Sequence, residues 1–247
     1  MMTAVPIYFS FDLTLPEIVL AGIAWLMLLL ALWPLMFLLR PRRRQKKITE
    51  EISAPEGGWP GISVVVYCRD EATSLEQLLE KLFAQEYDGE YEIIISSDGR
   101  NEDIDGVVKR LMSKFNRMRV TFVPDEARSL SRRKMAFTLG IKAAQHDIVL
   151  LTYADTIVGS KKWLASIASQ FTPGKDVVIG AAIPKRLYGR GIPRMMRRLD
   201  LELTTLTWIS SAIGRKAFRG EGHNLAFRKE IFFEHKGYSR TLNLHYG

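Results

Sequence analysis

The chain has 247 residues, of which 47% are hydrophobic and 25% charged, a balance that excludes a disordered or collagen-like protein. Its single cysteine excludes an intramolecular disulfide framework and a cysteine-rich zinc module. The formal net charge is +8, but six cations lie in one block over 40–47, RPRRRQKK, so the remaining residues carry only +2 (+8 − 6). Because the excess is so concentrated, it does not indicate a nucleic-acid-binding surface, and no nucleic acid is expected as a partner.

The N-terminal region predicts a membrane anchor. Residues 18–39 form a run of 22 without a charge, and a helix of that length spans about 33 Å, close to the hydrocarbon core of a bilayer. The basic block follows at once, and positive charge is expected on the cytoplasmic side. We therefore predict an extracytoplasmic N-terminus over 1–14, a transmembrane helix over 15–39 and a cytoplasmic domain, at the inner or plasma membrane. A cleaved signal peptide and a buried core helix fit less well, since no cation precedes the run and it has no polar face.

A basic juxtamembrane segment and linker over 40–60 leads into a folded domain predicted over 61–247. The β-branched run over 61–67, GISVVVY, predicts a strand that is buried on both faces. Leucine and phenylalanine at 75, 78, 79, 82 and 83 then follow the spacing of one helix face. Ser74 and Gln77 are expected to form a capping box at the start of this helix.

Strands and helices continue to alternate along the chain. Further strands are predicted over 92–95, 119–123, 147–152 and 176–181, and further helices over 104–115, 132–144, 160–171 and 193–213. This alternation predicts an α/β fold, with a mostly parallel sheet covered by helices on both faces. The arginine-rich stretch over 190–198, RGIPRMMRR, is interpreted as part of a membrane-facing or interdomain helix.

Acidic residues follow four of the predicted strands. In such a sheet, ligands bind beyond the carboxyl ends of the strands. Any one of these acids alone would be an ordinary turn residue, but four together indicate a site. The cations that open the helix at 132 suggest a nucleotide diphosphate bridged by a metal. The four groups are Arg69-Asp70-Glu71, Ser97-Asp98-Gly99, Pro124-Asp125 and Tyr153-Ala154-Asp155.

The order of these motifs resembles family 2 glycosyltransferases with the GT-A fold, a Rossmann-like α/β architecture. The resemblance lies in VVVYCRDEATSLEQLLEKL, then IIISSDGRNED, then SLSRRKMAFTLGIKAAQHDIVLLTYADT. A later segment, GEGHNLAFRKEIFFEHKGY, is similar to the acceptor-side region of membrane-anchored bacterial members. The resemblance extends from about residue 62 to the last residue.

The resemblance implies a site for a nucleotide-sugar donor, with UDP as the expected nucleotide. Glu71 and Asp98 would hold the base and ribose, since carboxylates accept hydrogen bonds from both. Asp155 matches the last acid of the Asp-x-Asp motif of the family and would meet the diphosphate through Mg²⁺ or Mn²⁺. The residues implied on the donor side are Arg69, Glu71, Asp98, Arg133, Lys134 and Asp155.

The resemblance also implies an acceptor side lined by Gly222, His223 and Asn224, although His223 could equally be a turn histidine. Two departures from the family pattern stand out. Tyr153 occupies the place of the first acid in the Asp-x-Asp motif, and a phenol is uncharged at neutral pH. The acidic pair that commonly supplies the catalytic base is expected beyond Gly247, so the chain is expected to be truncated at its C-terminus.

The function expected from these residues is inverting sugar transfer from a nucleotide-sugar, most simply a UDP-sugar, to a glycan or lipid-linked acceptor at a membrane. The expected activity belongs to the complete protein, and whether these 247 residues transfer sugar stays open. The alternative is a non-catalytic scaffold that binds nucleotide or glycan within a membrane glycan assembly. Tyr153 and the missing base both favour this alternative.

Overall fold

The computed structural model describes residues 14–30, 32, 52–127, 131–183, 190–213 and 216–241. Residues 15–30 are helical and their large apolar side chains are exposed. Within the described ranges, no helix is both long enough and apolar enough to span a bilayer. Most of the predicted N-terminal segment 1–14, the end of the predicted span over 33–39 and the basic block over 40–47 lie outside the described residues.

In the described part of the chain, six strands form one sheet in the order β3-β2-β1-β4-β6-β5. The first four strands of this order run parallel, whereas β6 runs antiparallel to both of its neighbours. The predicted α/β fold with a mostly parallel sheet is therefore confirmed. The strands are β1 (Ile62–Cys68), β2 (Tyr91–Ser97), β3 (Met118–Phe122), β4 (Ile148–Tyr153), β5 (Val177–Ile179) and β6 (Leu225–Arg228).

Helices cover both faces of this sheet. Successive residues of a strand point to opposite faces, so Val64 and Val66 of β1 join one core, whereas Val65 joins the other. The first core includes the buried faces of α1, α2 and α4, and the second is closed by α3. The helices are α1 (Ala72–Phe83), α2 (Glu102–Met112), α3 (Arg132–Ala143), α4 (Trp163–Ala168), α5 (Gly191–Ile213) and α6 (Lys229–Glu234).

The structure corrects several details of the predicted elements. The capping box at Ser74 is wrong, because α1 begins at Ala72 and Glu71 occupies its N-cap without a side-chain capping bond. The carboxylate of Glu71 instead accepts hydrogen bonds from backbone N–H groups that precede the helix. The predicted helix over 160–171 is shorter, Trp163–Ala168. Strand β6 was not predicted, since its four residues are too few to show a period of two.

A buried carboxylate joins elements at the amino-terminal edge of the sheet. The Glu92 side chain accepts hydrogen bonds from the Ser63 hydroxyl and the Gln145 backbone N–H, each at 2.6 Å. Arg119 lies 3.7 Å from the other carboxylate oxygen. These contacts tie β1, β2 and the segment before β4 together, so Glu92 has a structural role at the edge opposite the acids that follow the strands.

We predict opposite stability effects for alanine at two helical glycines. A Cβ on Gly140 of α3 would collide with the Val65 side chain of β1, whereas a Cβ on Gly106 of α2 would meet nothing within 4 Å. Gly140→Ala should therefore lower the free energy of unfolding by about 1–3 kcal/mol through overpacking. Gly106→Ala should raise it by about 0.4–1 kcal/mol, because alanine loses less backbone entropy on folding.

Chemical denaturation of the two full-length variants, followed by circular dichroism, measures both changes. Equal shifts of the same sign would show that α3 does not approach β1 as closely as described.

Candidate functional site

The strand ends converge because β1 lies between β2 and β4 and runs parallel to both. At its carboxyl end, the Cys68 carbonyl accepts a hydrogen bond from the Asp98 N–H at 3.1 Å, and the Tyr67 carbonyl accepts one from the Ala154 N–H at 2.8 Å. The next strand along the chain, β2, pairs with one side of β1, whereas the later strand β4 pairs with its other side. Such a reversal of strand order opens a crevice at the carboxyl edge, where ligands bind in open α/β sheets.

Glu71 shapes the loop that follows β1. Its Oε2 accepts hydrogen bonds from the backbone N–H groups of Arg69 and Asp70, at 2.9 and 3.1 Å. The side chain is exposed at the edge of the crevice. Glu71 therefore lies directly after β1 at the edge of the crevice, and its carboxylate stabilises the conformation of its own loop.

Asp98 is the most enclosed of the acids that follow the strands, with a side chain only 14% exposed. Its carboxylate lies 3.1 Å from Nε of Arg132 and 3.5 Å from Nε of Arg69. A carboxylate can accept about four hydrogen bonds, so the two arginines leave capacity for further donors. The structure thus brings together Arg69 and Asp98, both predicted on the donor side.

Arg132 organises this end of the sheet, although the family resemblance implies only the next two cations, Arg133 and Lys134, on the donor side. Besides Asp98, its guanidinium donates to the Val123 carbonyl at 3.3 Å and lies 3.9 Å from the Asp125 carboxylate. It therefore joins the ends of β2 and β3 to the start of α3. Its position directly after the N-cap Ser131 could have indicated this role, because a side chain there reaches the neighbouring strand ends.

The two other cations in the first turn of α3 contact different partners. The Lys134 side chain is buried, and its Nζ donates to the Thr241 carbonyl at 2.8 Å. Arg133 faces the Tyr153 hydroxyl, where its charge opposes the rise in the pKa of that phenol. In this structure Arg133 therefore lies at the crevice beside β4, whereas the Lys134 ammonium holds a late segment of the chain against α3.

Aromatic rings line the crevice where β4 ends. The Tyr153 ring packs edge-on against Tyr67 and Phe137, with ring centres 5.6 and 5.5 Å apart, and stacks on His223 at 4.2 Å. Burial raises the pKa of Tyr153 and, with the Asp98 charge, that of Tyr67; it also raises the pKa of Tyr238, to about 12. These phenols stay neutral at physiological pH, so Tyr153 brings no charge to the place of the missing acid.

His223, which the family resemblance implies on the acceptor side, lies beside Asp155. Its Nε2 is 4.0 Å from Oδ1 of Asp155, and the Thr152 hydroxyl donates to its backbone carbonyl at 3.0 Å. A carboxylate and an imidazole are donors that a divalent first-row metal accepts. The pair therefore fits such an ion with further positions left for phosphate oxygens and water, although no group of three acidic, histidine or cysteine ligands occurs among the described residues.

The antiparallel direction of β6 explains why His223 meets Asp155. Leu225 at the start of β6 pairs with Leu151 near the end of β4, so the residues before β6 lie at the carboxyl edge. Gly222 is close to the aromatic wall, because a Cβ there would lie 3.2 Å from the Tyr153 ring. Asn224 instead accepts from the Trp163 indole N–H at 3.3 Å and donates to the Ala181 carbonyl at 3.4 Å, so its amide joins α4 to the segment after β5.

A cavity of about 590 Å³ adjoins the crevice between the first turns of α1 and α2. Of the described residues that line this cavity, five are acidic and Arg110 is the one cation. The net negative charge of the lining disfavours a nucleoside diphosphate. The crevice between β1 and β4, with Arg69, Arg132 and Arg133, suits an anion better. The acids of the cavity are Asp70, Glu71, Glu76, Glu102 and Asp103.

Comparisons with known proteins identify the family. The model of glycosyl transferase family 2 matches residues 63–235, more than half of the chain, and the chain belongs to this family. The mannosyltransferase PcManGT from Pyrobaculum calidifontis, solved in complex with GDP-Man and Mn²⁺, is 19% identical, with a TM-score of 0.56. The alignment covers 85% of this chain and 57% of that one, so the chain spans little more than half of its length. This likeness shows a shared GT-A-like fold.

Two further solved structures resemble the chain more weakly. TarS 1-349 from S. aureus is 18% identical with a TM-score of 0.48, over 71% of this chain and 49% of that one. Glucosyl-3-phosphoglycerate synthase from Mycobacterium tuberculosis, in complex with UDP, is 16% identical with a TM-score of 0.46, over 70% and 58% of the two chains. No curated protein sequence matches the chain significantly.

We predict that Asp98→Ala weakens UDP binding more than Asp125→Ala does. Both residues follow strands and lie near Arg132, but the Asp98 side chain is enclosed, whereas that of Asp125 is 83% exposed. Loss of a charged hydrogen-bond partner should lower affinity about 10- to 150-fold for Asp98→Ala. Calorimetric titration with UDP measures both affinities, and circular dichroism checks that each variant stays folded. Equal affinities would show that the nucleotide does not bind at Asp98.

Proposed function

We propose that the chain belongs to a membrane-anchored, inverting glycosyltransferase that takes its sugar from a UDP-sugar. The observation that carries this proposal is the convergence of Glu71, Asp98 and Asp155 at one crevice, beside the arginines of α3. The family membership agrees with a nucleotide-sugar donor. We propose a glycan or lipid-linked molecule as the acceptor.

The donor is proposed to lie along the carboxyl edge of β2, β1 and β4. Its base and ribose would meet Glu71 and Asp98, whose carboxylates accept from N–H and hydroxyl groups. Its diphosphate would lie between Arg133 and the pair formed by Asp155 and His223. In this arrangement Arg69 and Arg132 hold the Asp98 carboxylate in position, because both lie within 3.5 Å of it.

Asp155 and His223 would hold Mg²⁺ or Mn²⁺, and the imidazole favours a transition metal such as Mn²⁺ over Mg²⁺. A bound ion supplies charge stabilisation on the departing diphosphate. Arg133 contributes positive charge on the same side, and a guanidinium fixed before the reaction costs no reorganisation during it. Sugar transfer with inversion also requires a base for the acceptor hydroxyl, and the family resemblance predicts a carboxylate for that role.

A non-catalytic scaffold is the second candidate, and Tyr153 is the observation that favours it. A neutral phenol packed among Tyr67, Phe137 and His223 replaces a carboxylate, which leaves one acid for the metal. Such a protein would bind nucleotide through the same crevice. Release of UDP from a UDP-sugar that depends on an added acceptor, measured on the complete protein, distinguishes the enzyme from the scaffold.

We predict that Asp155→Asn and His223→Phe reduce the Mn²⁺-dependent part of UDP binding. The phenylalanine keeps an aromatic ring against Tyr153 but removes the ligand nitrogen. Affinity in the presence of Mn²⁺ should fall by at least about tenfold for each variant, whereas affinity in EDTA should stay close to that of the parent. His235→Phe, at an exposed histidine after α6, is the matched control.

Titration calorimetry with UDP, with and without Mn²⁺, measures these affinities. If His223→Phe keeps the full effect of Mn²⁺, then His223 is not a ligand and the metal is held elsewhere.

We also predict that the N-terminus is extracytoplasmic and that the folded domain is cytoplasmic. The Cys68 thiol is fully buried and burial raises its pKa to about 12, so we expect it to react too slowly to obscure engineered cysteines. A membrane-impermeant maleimide should label Thr3→Cys in intact cells, whereas Ser113→Cys, exposed after α2, should react only after the membrane is opened. Labelling of Ser113→Cys in intact cells would contradict this orientation.

A further inference from the structure

Helix α5 exposes a continuous apolar stripe. Its first ten residues are all exposed, and its second half is held to the domain by buried Thr205, Trp208 and Ser210. Five large apolar side chains follow the spacing i, i+3, i+4, i+7 and i+11, which places them on one face of the helix. They are Ile192, Met195, Met196, Leu199 and Leu203, with exposures between 39% and 72%.

Arginines occupy the other face of the same helix. At about 100° per residue, Arg194, Arg197 and Arg198 lie across the helix from the apolar stripe. Arg190 directly precedes the helix, and Arg198 is paired with Glu202 at 2.7 Å. An apolar stripe opposite a cationic face, in a helix of modest overall hydrophobicity, is typical of helices that lie in a membrane interface.

A cavity of about 250 Å³ adjoins the stripe at Leu203. Its lining includes the exposed Phe218, the cation Arg219 and the indole of Trp208. The Trp208 Nε1–H is buried and has no hydrogen-bond acceptor among the described residues. Phe218 and Arg219 thus extend the apolar and cationic surface beyond the helix. They lie beside the Trp208 indole N–H, which lacks an acceptor among the described residues.

We propose that α5 lies flat on an anionic bilayer, with its apolar stripe at the boundary between headgroups and acyl chains and its arginines toward lipid phosphates. A second copy of the chain would cover the apolar stripe but would not account for the arginines on the opposite face, whereas an anionic bilayer accounts for both. The six cations over 40–47 would meet the same anionic surface. The proposal rests on the proposed membrane location, but it does not depend on sugar transfer.

A fluorescent label that reports its depth in the bilayer tests this orientation. Because Cys68 is fully buried, Met196→Cys on the stripe and Arg194→Cys on the opposite face each offer a single reactive thiol for an environment-sensitive dye. For this comparison the Met196→Cys chain also carries Arg194→Gln, so that both chains lack the same cation. The full chain is reconstituted into phosphatidylcholine bilayers with or without phosphatidylglycerol, and the dye is quenched by lipids that carry a nitroxide. Quenching should be several-fold stronger at position 196 than at position 194, and stronger with the anionic lipid.

Removal of two cations tests the electrostatic part of the proposal. Arg190→Gln combined with Arg194→Gln, in the chain labelled at position 196, should weaken the contact of α5 with anionic bilayers by roughly 30-fold. The same pair of substitutions should leave quenching in pure phosphatidylcholine nearly unchanged. Both arginines are exposed, so the substitutions should not disturb the fold.

Three results would overturn the proposal. Equal quenching at 194 and 196 would show that the stripe does not face the lipid. An unchanged signal after the arginine substitutions would remove the role of the anionic surface. Absence of quenching at 196, with disulfide formation between unlabelled Met196→Cys chains under an added oxidant, would show that a second copy covers the stripe. UDP titration of the same preparations, and Thr3→Cys labelling in intact cells, test the proposed function separately, since neither measurement involves α5.

Discussion

The burial of β1 on both faces is the constraint on which the site depends. A strand with apolar side chains on both faces must lie inside the sheet with helices on either side, and β1 accordingly pairs with β2 and β4. Because all three strands run parallel, the loops that follow them emerge at one edge. Residues that are far apart in the chain, such as Glu71 and Asp155, therefore line one crevice.

Contacts with arginines offset the electrostatic repulsion between the acids at this edge. Arg132 lies in the first turn of α3, where a cation opposes the helix dipole. Its contacts with the Asp98 carboxylate and with the carbonyls of Val123 and Pro124 offset that cost. The same contacts hold Asp98 in one orientation, so that its remaining hydrogen-bonding capacity is available at the crevice.

Reversal of the chain direction at β6 determines the chemistry beside β4. An antiparallel strand brings its beginning, rather than its end, to the carboxyl edge, and His223 consequently lies against Tyr153 and Asp155. Packed aromatic rings occupy the position where the family pattern has a second acid. An imidazole and one carboxylate remain as candidate metal ligands, a softer donor set than two carboxylates.

The alternation of strands and helices, the parallel character of the sheet and the acids that follow its strands can be predicted from the sequence alone. These features depend on local periodicity and on the general rule that parallel strands share a ligand-binding edge. The start of α1 was misplaced because Ser74 and Gln77 imitate a capping box, whereas Glu71 bonds to the backbone before the helix.

The partners of the side chains at the crevice depend on the three-dimensional arrangement of the strands and helices. A sequence does not show that Arg132 reaches Asp98, that Lys134 bonds to the Thr241 carbonyl, or that His223 lies beside Asp155. Each contact joins residues widely separated in the chain. The first two depend on how α3 docks on the sheet, and the third depends on the direction of the four-residue strand β6. Local sequence patterns do not predict these contacts, because the contacts form only once the strands have taken their places in the sheet.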